Sequence, residues 1–573
     1  MRPINLLACA AIALCALDFL CYHVSGDVFG ESAVYTLSAG LEGFDLMNAK
    51  VLVLTASLLA LVCLAVAFCL HRIPWVRRLT GYRLIVIYAT LVVCILSTGV
   101  SRYAVNVFLN NNRDQASFHE QYRVPLHGDT VPHEQHNLVY LYLESLEAAF
   151  FDEAVFPGLV PNSKRLGMEA HNYTGIHDVG DFTMGAFVAS QCGIRLITPI
   201  GAENHMDGNF LLGKYLAGAT CLGDILKASG YNLEYIGGAA KEFAGKNIFL
   251  QSHGFSSVKG AAEGTRGGEA RAPWGRFDDA LLDDVFVRYT ELAADKKPFA
   301  LFSLTVDTHA PGGAKSPRCG DLVYGDGSNS MLNSVHCSDR IVGEFISKLR
   351  AHPSFERTLL VVGSDHHMHA NTADSLLSSF KPRKLSLLIF DGKDPPRGTD
   401  IPKPGSTLDI GATILSHLTE GRLSELGLGR SLREPNSETL FSEHENFESF
   451  RLKLDEWRSS FKQFWRFPDG PDKTIGGFNV SATGITNVEG SLFRTPVAFE
   501  LDPDSGSQII NIMLLDEAQS ELQRSNKTAL LINKCAAIQS GLEGLYCYLY
   551  RKHGESVTGS ITPGKHVSLQ DLM

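Results

Sequence analysis

Short runs of apolar residues recur from Asn137 onward, and stretches with helical periodicity separate them. The clearest apolar runs are 138–143, 299–304, 358–363 and 385–390, and the clearest helical stretches are Asp278–Ala294 and Asp339–Leu349. A continuous apolar run of this length is typical of a parallel strand that is buried on both faces. Strands that alternate with helices therefore predict an α/β domain over 137–469, with a sheet covered by helices on both faces.

The sequence pattern changes near residue 470, where apolar and polar residues alternate and turn residues are frequent. Gly476–Ala482 and Val497–Leu501 have the pattern of strands. We predict that 470–573 is a small β-containing region without catalytic residues.

Three apolar runs lie within the first 101 residues, at about Ile4–Val24, Val51–Leu70 and Leu84–Val100. Each approaches the length of about 20 residues that a helix needs to cross a bilayer. We predict three transmembrane helices over 1–101, followed by a juxtamembrane linker over 102–136. Asp18, the one full charge in these runs, is expected near the membrane interface, with an intramembrane functional carboxylate as the alternative.

The basic residues of the loops indicate which way these helices face. The loop between the second and third runs carries Arg72, Arg77, Arg78 and Arg83, whereas the first loop has no Lys or Arg before Lys50. Basic loops stay in the cytoplasm. The N-terminus is therefore predicted inside, and everything after Val100 outside.

Charge and composition exclude several classes of protein. The chain of 573 residues has 62 acidic and 51 basic residues, a net charge of −11, so a protein that binds nucleic acid through its phosphates is excluded. Its Gly and Pro residues are scattered without a period, which excludes collagen-like and solenoid folds.

Cysteine usage fits a catalytic domain outside the cytoplasm. Six of the 12 cysteines fall in the apolar runs, and six follow residue 190: Cys192, Cys221, Cys319, Cys337, Cys535 and Cys547. An even number in an oxidising compartment indicates disulfides, for which six cysteines allow 15 connectivities. We favour nearest-neighbour pairing in chain order, because each pair then closes a short loop.

Carboxylate and imidazole groups follow directly after three of the apolar strands. Glu144 follows the first, Asp365 and His366 follow the third, and His309 lies in the segment after the strand at 299–304. Ligands of α/β sheets bind beyond the carboxyl ends of the strands, so these side chains can converge there. Two carboxylates and one imidazole suit a single divalent cation.

Thr183 is the candidate nucleophile. It lies where a Gly/Asp loop, Asp178–Asp181, runs into a helical stretch of small residues. A helix N-terminus favours an anionic oxygen or a phosphate, and a metal lowers the pKa of a bound hydroxyl. A simple helix cap is the alternative for this residue.

The motifs of residues 25–435 resemble those of the bacterial phosphoglycerol transferase I family, which modifies osmoregulated periplasmic glucans. Lipoteichoic acid synthases are broader relatives within the alkaline phosphatase and sulfatase superfamily. The motifs that carry the resemblance are Glu144-Ser-Leu-Glu147, Val188-Ala-Ser-Gln-Cys-Gly-Ile194, Leu304-Thr-Val-Asp-Thr-His309, Ser364-Asp-His366 and Leu426-Gly-Leu-Gly-Arg-Ser431.

The resemblance implies a role for each matching position. Glu144, Thr183, Asp365 and His366 would hold one metal ion, Mn²⁺ in the first place, with Zn²⁺ or Mg²⁺ as alternatives. Thr183 would be the nucleophile and His309 a second catalytic residue near the phosphate. Substrate would contact Lys246, His309 and Trp274, with Lys246 on the phosphoglycerol headgroup.

The resemblance further implies an enzyme of the bacterial inner membrane with a periplasmic catalytic domain. It would move sn-glycerol 1-phosphate from phosphatidylglycerol to a cyclic or branched glucan through an ester of Thr183, releasing diacylglycerol. One alternative is a phosphoethanolamine transferase or a sulfatase-like phosphodiesterase, although no C-x-P-x-R segment of a sulfatase occurs. The other is a membrane protein that binds glucan without catalysis.

Overall fold

The structure is a computed structural model of the chain. It describes residues 3–25, 28–39, 82–109, 115–125, 131, 136–199, 214–264, 270–295, 297–393, 398–465, 478–481, 484–487, 492–493, 497–501, 509–513, 528–539, 544, 546–552, 555–561 and 566–567. The predicted second apolar run, Val51–Leu70, lies outside these residues, as does most of the basic loop after it. The described chain divides into two compact units.

The first unit comprises Met1–Leu196, Cys221–Lys246 and Gly254–Ser459. Its nine-stranded sheet has the order β10-β2-β9-β8-β1-β7-β3-β4, with β11 also paired to β2. The strands are β1 (Asn137–Leu143), β2 (His171–His177), β3 (Asn232–Gly237), β4 (Ser257–Lys259), β7 (Phe299–Leu304), β8 (Thr358–Ser364), β9 (Leu385–Asp391), β10 (Thr399–Ile401) and β11 (Gly405–Ser406). Two short hairpins lie outside it: β5 (Arg271–Ala272) with β6 (Gly275–Arg276), and β12 (Glu425–Leu426) with β13 (Gly429–Arg430).

Three of the four predicted apolar runs form the parallel centre of this sheet. β1 pairs in parallel with β7 on one side and β8 on the other. The fourth run, β9, is a strand but runs antiparallel to both β8 and β2, so the sheet is mixed. A strand buried on both faces has the same apolar pattern in either direction, so the sequence could not show this reversal.

Alternate side chains of β1 pack on opposite faces of the sheet. Val139 and Leu141 join the apolar core with the helices Asp278–Ala294 and Ser330–Arg350. On the other face, the ring of Tyr142 lies 4.6 Å from that of Phe187. The predicted sheet with helices on both faces is thus observed.

The helices of the described chain are numbered in chain order. They are α1 (Pro3–Ser25), α2 (Glu31–Ala39), α3 (Tyr82–Ser97), α4 (Gly99–Leu109), α5 (Gln115–Gln121), α6 (Pro161–Gly167), α7 (Thr183–Cys192), α8 (Leu222–Ala228), α9 (Lys246–Ser252), α10 (Ala261–Gly264), α11 (Asp278–Ala294), α12 (Ser330–Arg350), α13 (Asp374–Leu377), α14 (Ile410–Leu418), α15 (Phe447–Glu456), α16 (Arg458–Lys462) and α17 (Cys535–Ile538).

The first and third predicted membrane runs fall on α1 and α3. In the described part of the chain, no single helix has both the length and the hydropathy of a membrane span. One pair of helices, Ile85–Ser97 and Gly99–Phe108, meets the length and hydropathy criteria together, with an angle of 72° between the two helices. The residues expected to form a linker include most of α4 and all of α5. Asp18 accepts backbone hydrogen bonds from Phe29 (3.3 Å) and from Gly99 (2.6 Å), so it fixes the start of α4.

The second unit comprises Ile197–Thr220, Asn247–His253 and Ser460–Met573. Its strands form two sheets in which every pairing is antiparallel. They are β14 (Phe478–Ser481), β15 (Gly484–Asn487), β16 (Leu492–Phe493), β17 (Val497–Leu501), β18 (Ile509–Met513), β19 (Ala529–Lys534), β20 (Tyr546–Lys552), β21 (Glu555–Ile561) and β22 (His566–Val567). The two stretches that the sequence assigned to strands correspond to β14 and β17.

The structure contains three disulfides, and each joins cysteines that are neighbours in chain order. The pairs are Cys192–Cys221, Cys319–Cys337 and Cys535–Cys547. The first pair ties the last residue of α7 to the residue before α8, and the second ties the loop after β7 to α12. This is the pairing that short loops favour.

Candidate active site

The strand-end residues Glu144, Asp365 and His366 lie together. One ligand atom from each lies within 4.8 Å of the other two, and all three residues are buried. Nε2 of His366 is 3.7 Å from Oε1 of Glu144 and 3.3 Å from Oδ2 of Asp365. Because β1 and β8 are parallel neighbours, their carboxyl ends meet at one edge of the sheet, and this places the three groups together.

Thr183 joins this group from a different element. It is the first residue of α7, and its Oγ1 lies 3.4 Å from Nε2 of His366. The loop before it packs tightly on the first turn of the helix: a Cβ on Gly185 would lie 1.9 Å from the carbonyl oxygen of Gly180. Glycine at 185 therefore allows the close approach that directs Thr183 toward the strand ends.

Asp178 ties the loop of Thr183 to the loop of the Asp-His pair. Its Oδ1 accepts backbone hydrogen bonds from Gly180 (2.8 Å) and Asp181 (3.2 Å), and its Oδ2 accepts one from His367 (2.9 Å). One buried carboxylate thus sets the distance between Thr183 and the residues after β8. Sequence reasoning assigned no role to Asp178, although an Asp two residues before a Gly is a common signal for a turn of this kind.

Hydroxyl groups at the end of β7 fix the backbone of Glu144. Its N–H donates to Oγ1 of Thr305 (2.9 Å), and its carbonyl oxygen accepts from the hydroxyl of Thr308. The next residue, Ser145, has a positive φ of 54° and donates from its N–H to Oδ1 of Asp365 (2.8 Å). The two carboxylate-bearing strand ends are therefore bonded to each other through backbone groups.

The charges of this cluster are those of a cation site. Burial, followed by the negative charge of Glu144, raises the pKa of Asp365 to about 7. Burial lowers the pKa of His366, but Asp365 and Glu144 more than reverse this and raise it to about 9. The pKa of a buried carboxylate rises in this way when too little positive charge lies nearby to stabilise its ionised form. A divalent cation bound at the site would supply that positive charge.

The ligand atoms are also oriented for a metal ion. Nδ1 of His366 lies 2.8 Å from the carbonyl oxygen of His367, to which it donates, so the lone pair of Nε2 faces Glu144 and Asp365. Oδ2 of Asp365 is buried without a hydrogen-bond partner, and an orphaned carboxylate oxygen is rare in a protein interior. The residues present therefore fit one divalent cation.

Thr183, Glu144 and His366 open into a cavity whose lining residues all belong to the first unit. Lys246 also lines it, with a side chain that is only 3% exposed. Burial lowers the pKa of this lysine to about 8, although the carboxylates of Glu144 and Asp365 raise it. The cavity thus places one buried amine beside the cluster of acidic groups.

His309 and Trp274 line the same cavity. Their ring centroids are 4.1 Å apart, with 35° between the planes. Nδ1 of His309 donates to the carbonyl oxygen of Ala310 (2.7 Å), so Nε2 is the nitrogen that a substrate can reach. Six of the predicted catalytic, metal and substrate residues therefore line one cavity, and the seventh, Asp365, lies beside two of them, Glu144 and His366.

Other polar residues of the motifs have structural contacts. Glu147 is fully buried and paired with Arg383, whose Nε lies 2.7 Å from Oε2. His367 bonds Asp178 through its backbone, whereas His369 lies against the ring of His366, with centroids 4.7 Å apart, and lines the cavity.

Comparison with known proteins supports this description. The sulfatase family model matches residues 136–420. Phosphoglycerol transferase I of Xanthomonas campestris pv. campestris (strain B100) is 32% identical over 552 residues, which are 92% of this chain and 74% of that protein. Phosphoglycerol transferase I of Escherichia fergusonii is 33% identical over 503 residues, 85% of this chain and 62% of that protein. A solved lipoteichoic acid synthase from Listeria monocytogenes aligns with 58% of this chain and 91% of its own at 14% identity, with a TM-score of 0.45.

The mixed sheet, the groups at its strand ends and the sulfatase match define an α/β enzyme of the sulfatase type. The chain belongs to the phosphoglycerol transferase I family. The prediction of this family, and of an enzyme that transfers phosphoglycerol, is thereby confirmed. The chain spans 74% of the length of the Xanthomonas relative and 62% of that of the Escherichia relative, so its donor, acceptor and location belong to the proposal that follows.

Proposed function

We propose that this chain moves sn-glycerol 1-phosphate from phosphatidylglycerol to a hydroxyl group of a periplasmic glucan through a phosphoglycerol ester of Thr183. The observation that carries the proposal is the position of the Thr183 hydroxyl, 3.4 Å from Nε2 of His366 and at the edge of the cluster with Glu144 and Asp365. A hydroxyl that only caps a helix needs no such neighbours.

In the first step, Oγ of Thr183 forms a bond to phosphorus while the bond from phosphorus to the oxygen of diacylglycerol breaks. The proton of Thr183 passes to solvent water, and a proton from Nε2 of cationic His309 gives diacylglycerol as a neutral alcohol. Lys246 binds the negative charge of the headgroup as a point charge, and the ring of Trp274 holds His309 in position.

In the second step, a hydroxyl oxygen of the glucan attacks phosphorus, and the bond to Oγ of Thr183 breaks. Neutral His309 accepts the proton of the attacking hydroxyl, and the departing Thr183 oxygen takes up a proton from solvent water. Two in-line displacements at one phosphorus atom predict net retention of configuration.

Glu144, Asp365 and His366, with Thr183, would hold one divalent ion, which we propose to be Mn²⁺. When bound, such an ion lowers the pKa of the threonine hydroxyl and stabilises negative charge on the phosphoryl oxygens. Oxygen-rich sites with one imidazole suit Mn²⁺, and they also accept Zn²⁺ or Mg²⁺.

We further propose that residues 1–101 anchor the enzyme in the inner membrane, with the catalytic domain of 137–469 in the periplasm. The three disulfides support an oxidising compartment. A tether also keeps the active site close to a donor that never leaves the bilayer.

The test is transfer of label between purified components. Wild-type protein is incubated with Mn²⁺, a periplasmic glucan and phosphatidylglycerol that is labelled in its headgroup. A parallel reaction contains headgroup-labelled phosphatidylethanolamine instead. We expect label from phosphatidylglycerol alone to reach the glucan.

Two variants of one residue provide the matched control. Thr183→Val keeps the shape of the side chain and removes the hydroxyl, whereas Thr183→Ser keeps the hydroxyl. We expect no transfer by the first variant and partial transfer by the second. Transfer by Thr183→Val at the wild-type rate would refute the nucleophile, and transfer from phosphatidylethanolamine alone would establish the phosphoethanolamine alternative.

A further inference from the structure

Helix α2 (Glu31–Ala39) forms part of the wall of the active-site cavity. Ser32 and Thr36 are one helical turn apart and both line the cavity, together with Thr183 and Lys246. The catalytic motifs all follow residue 137, so the proposed function assigns no role to this helix. It lies in the same compact unit as the central sheet.

Contacts of Tyr35 hold α2 against the residues that carry the chemistry. Tyr35 is fully buried, and its hydroxyl donates to the carbonyl oxygen of Ala244 (2.6 Å). Its ring centroid lies 5.4 Å from that of Phe182, the residue before Thr183. Ala244 has a positive φ of 59°, and the tight turn that it makes with Gly245 leads directly to Lys246. The same side chain therefore contacts the approach to the nucleophile and the turn that presents the lysine.

The first turn of α2 is held independently. Glu31 is paired with the buried guanidinium of Arg458 and accepts a hydrogen bond from the hydroxyl of Tyr103 (3.3 Å). The hydroxyl of Tyr103 in turn accepts from Arg458 (2.8 Å). Helix α2 is thus a fixed wall, fastened at both its first and its second turn.

The part of the cavity beside α2 is apolar. Phe182, which contacts Tyr35, lines it, as do Phe243, Met184, Leu304 and Val306. A glucan carries several hydroxyl groups on each sugar, which need polar partners that these side chains do not offer. An ester-linked diacylglycerol combines apolar chains with a few acceptor oxygens, and this wall offers apolar side chains and the hydroxyl of Ser32, whereas the hydroxyl of Thr36 donates to the carbonyl oxygen of Ser32 (2.8 Å).

The course of the chain favours the same ligand. Helix α1, which carries the first apolar run, ends at Ser25, and α2 begins at Glu31. Asp18 near the end of α1 bonds the backbone of Phe29 just before α2. The wall that α2 forms therefore follows closely on an apolar helix of the chain, and Asp18 of that helix bonds the segment between them.

We infer that α2 is the wall of the active site that binds the diacylglycerol side of the lipid donor, with Ser32 and Thr36 in contact with its glycerol–ester region. This inference rests on the proposed function, since it assigns the leaving group of that reaction to one side of the cavity. The transferred glycerol phosphate is assigned to Lys246 and His309, which line the same cavity. No additional covalent step is involved.

Ligand affinity is measured in a variant without the nucleophile, so that the result does not depend on the transfer reaction. In the Thr183→Ala background with Mn²⁺, calorimetric titration measures the Kd of dihexanoyl phosphatidylglycerol and, separately, of sn-glycerol 1-phosphate. Thr36→Trp fills the cavity beside α2, and the milder Thr36→Val removes only the hydroxyl. Ser38→Trp is the matched control, because residue 38 lies about 240° around the helix from Ser32 and does not line the cavity.

We expect Thr36→Trp to weaken the short-chain lipid at least tenfold and Thr36→Val about threefold, while the Kd of glycerol phosphate changes less than twofold. Ser38→Trp should leave both affinities unchanged. Equal weakening of both ligands, or unchanged lipid affinity in both Thr36 variants, would overturn the inference. Failure of the proposed function has a different signature, since it is the absence of label transfer by the enzyme with Thr183 intact.

Discussion

The buried amine of Lys246 predicts how activity depends on pH. Burial lowers its pKa from 10.5 to about 8, so the amine is mostly charged at pH 7 and only about one-tenth charged at pH 9. The carboxylates of Glu144 and Asp365 raise this pKa, and a cation that neutralises them removes their contribution. The loss of charge should therefore occur at or below about pH 8.

The size of the effect follows from the contact that is lost. A hydrogen bond to a charged group is worth about 1.5–3 kcal/mol, and each 1.4 kcal/mol is a factor of ten. We therefore expect kcat/KM for phosphatidylglycerol to fall about tenfold per pH unit above 8, and to level off between about ten- and hundredfold below its maximum.

Two substitutions separate Lys246 from other groups that titrate. Lys246→Arg keeps a positive charge across this range, so its kcat/KM should not fall above pH 8. Lys246→Met has no charge at any pH, so its activity should be low and independent of pH there. The assay is headgroup release from lipid micelles between pH 6 and 10. A wild-type profile that stays flat to pH 10, or an arginine variant that falls as the wild type does, would refute this reasoning.

Three further predictions concern the support of the site. Burial and the charge of Asp278 raise the folded-state pKa of Asp307 to about 10, so the contribution of this carboxyl to stability is complete below about pH 4 and is lost as pH rises toward 10. Asp307→Asn should therefore raise the Tm at pH 8 but not at pH 4. A lower Tm of the variant at pH 8 would contradict this. Replacing both Cys192 and Cys221 by Ala should cost about 2–4 kcal/mol in urea unfolding, and no change relative to the oxidised wild type would contradict it. Metal analysis should find one divalent ion per chain in the wild type and less than a tenth of that in Asp365→Asn. Activity of the wild type should be lost on chelation and restored by Mn²⁺. Full occupancy in the variant would exclude Asp365 as a ligand.

Much of the fold could be predicted because apolar runs and helical periodicity report burial directly. The run at 299–304 and the helix Asp278–Ala294 coincide with elements of the structure. The direction of β9 could not be predicted, because burial on both faces gives one pattern for either direction. The region taken as a linker contains helices whose ends are fixed by contacts distant in sequence, such as that of Asp18 with Gly99.

The candidate site could be predicted where residues follow strands or belong to long motifs. Glu144 and Asp365 stand directly after apolar strands, and this position indicated them without any coordinates. Asp178 and Tyr35 could not be found in the same way. Their contribution is a hydrogen bond to a loop or turn far along the chain, 189 residues away for Asp178 and 209 for Tyr35, and nothing in the local sequence encodes such a partner.

The most direct test of the account is to trap the covalent intermediate. Wild-type protein is mixed with phosphatidylglycerol and Mn²⁺ without glucan, quenched in acid within one turnover, digested and analysed by mass spectrometry. We predict that the peptide containing Thr183 gains the mass of one glycerophosphoryl group, and that this mass disappears when glucan is added before the quench. An unmodified Thr183 peptide under conditions in which diacylglycerol is released, or the same mass on another residue, would contradict the central claim.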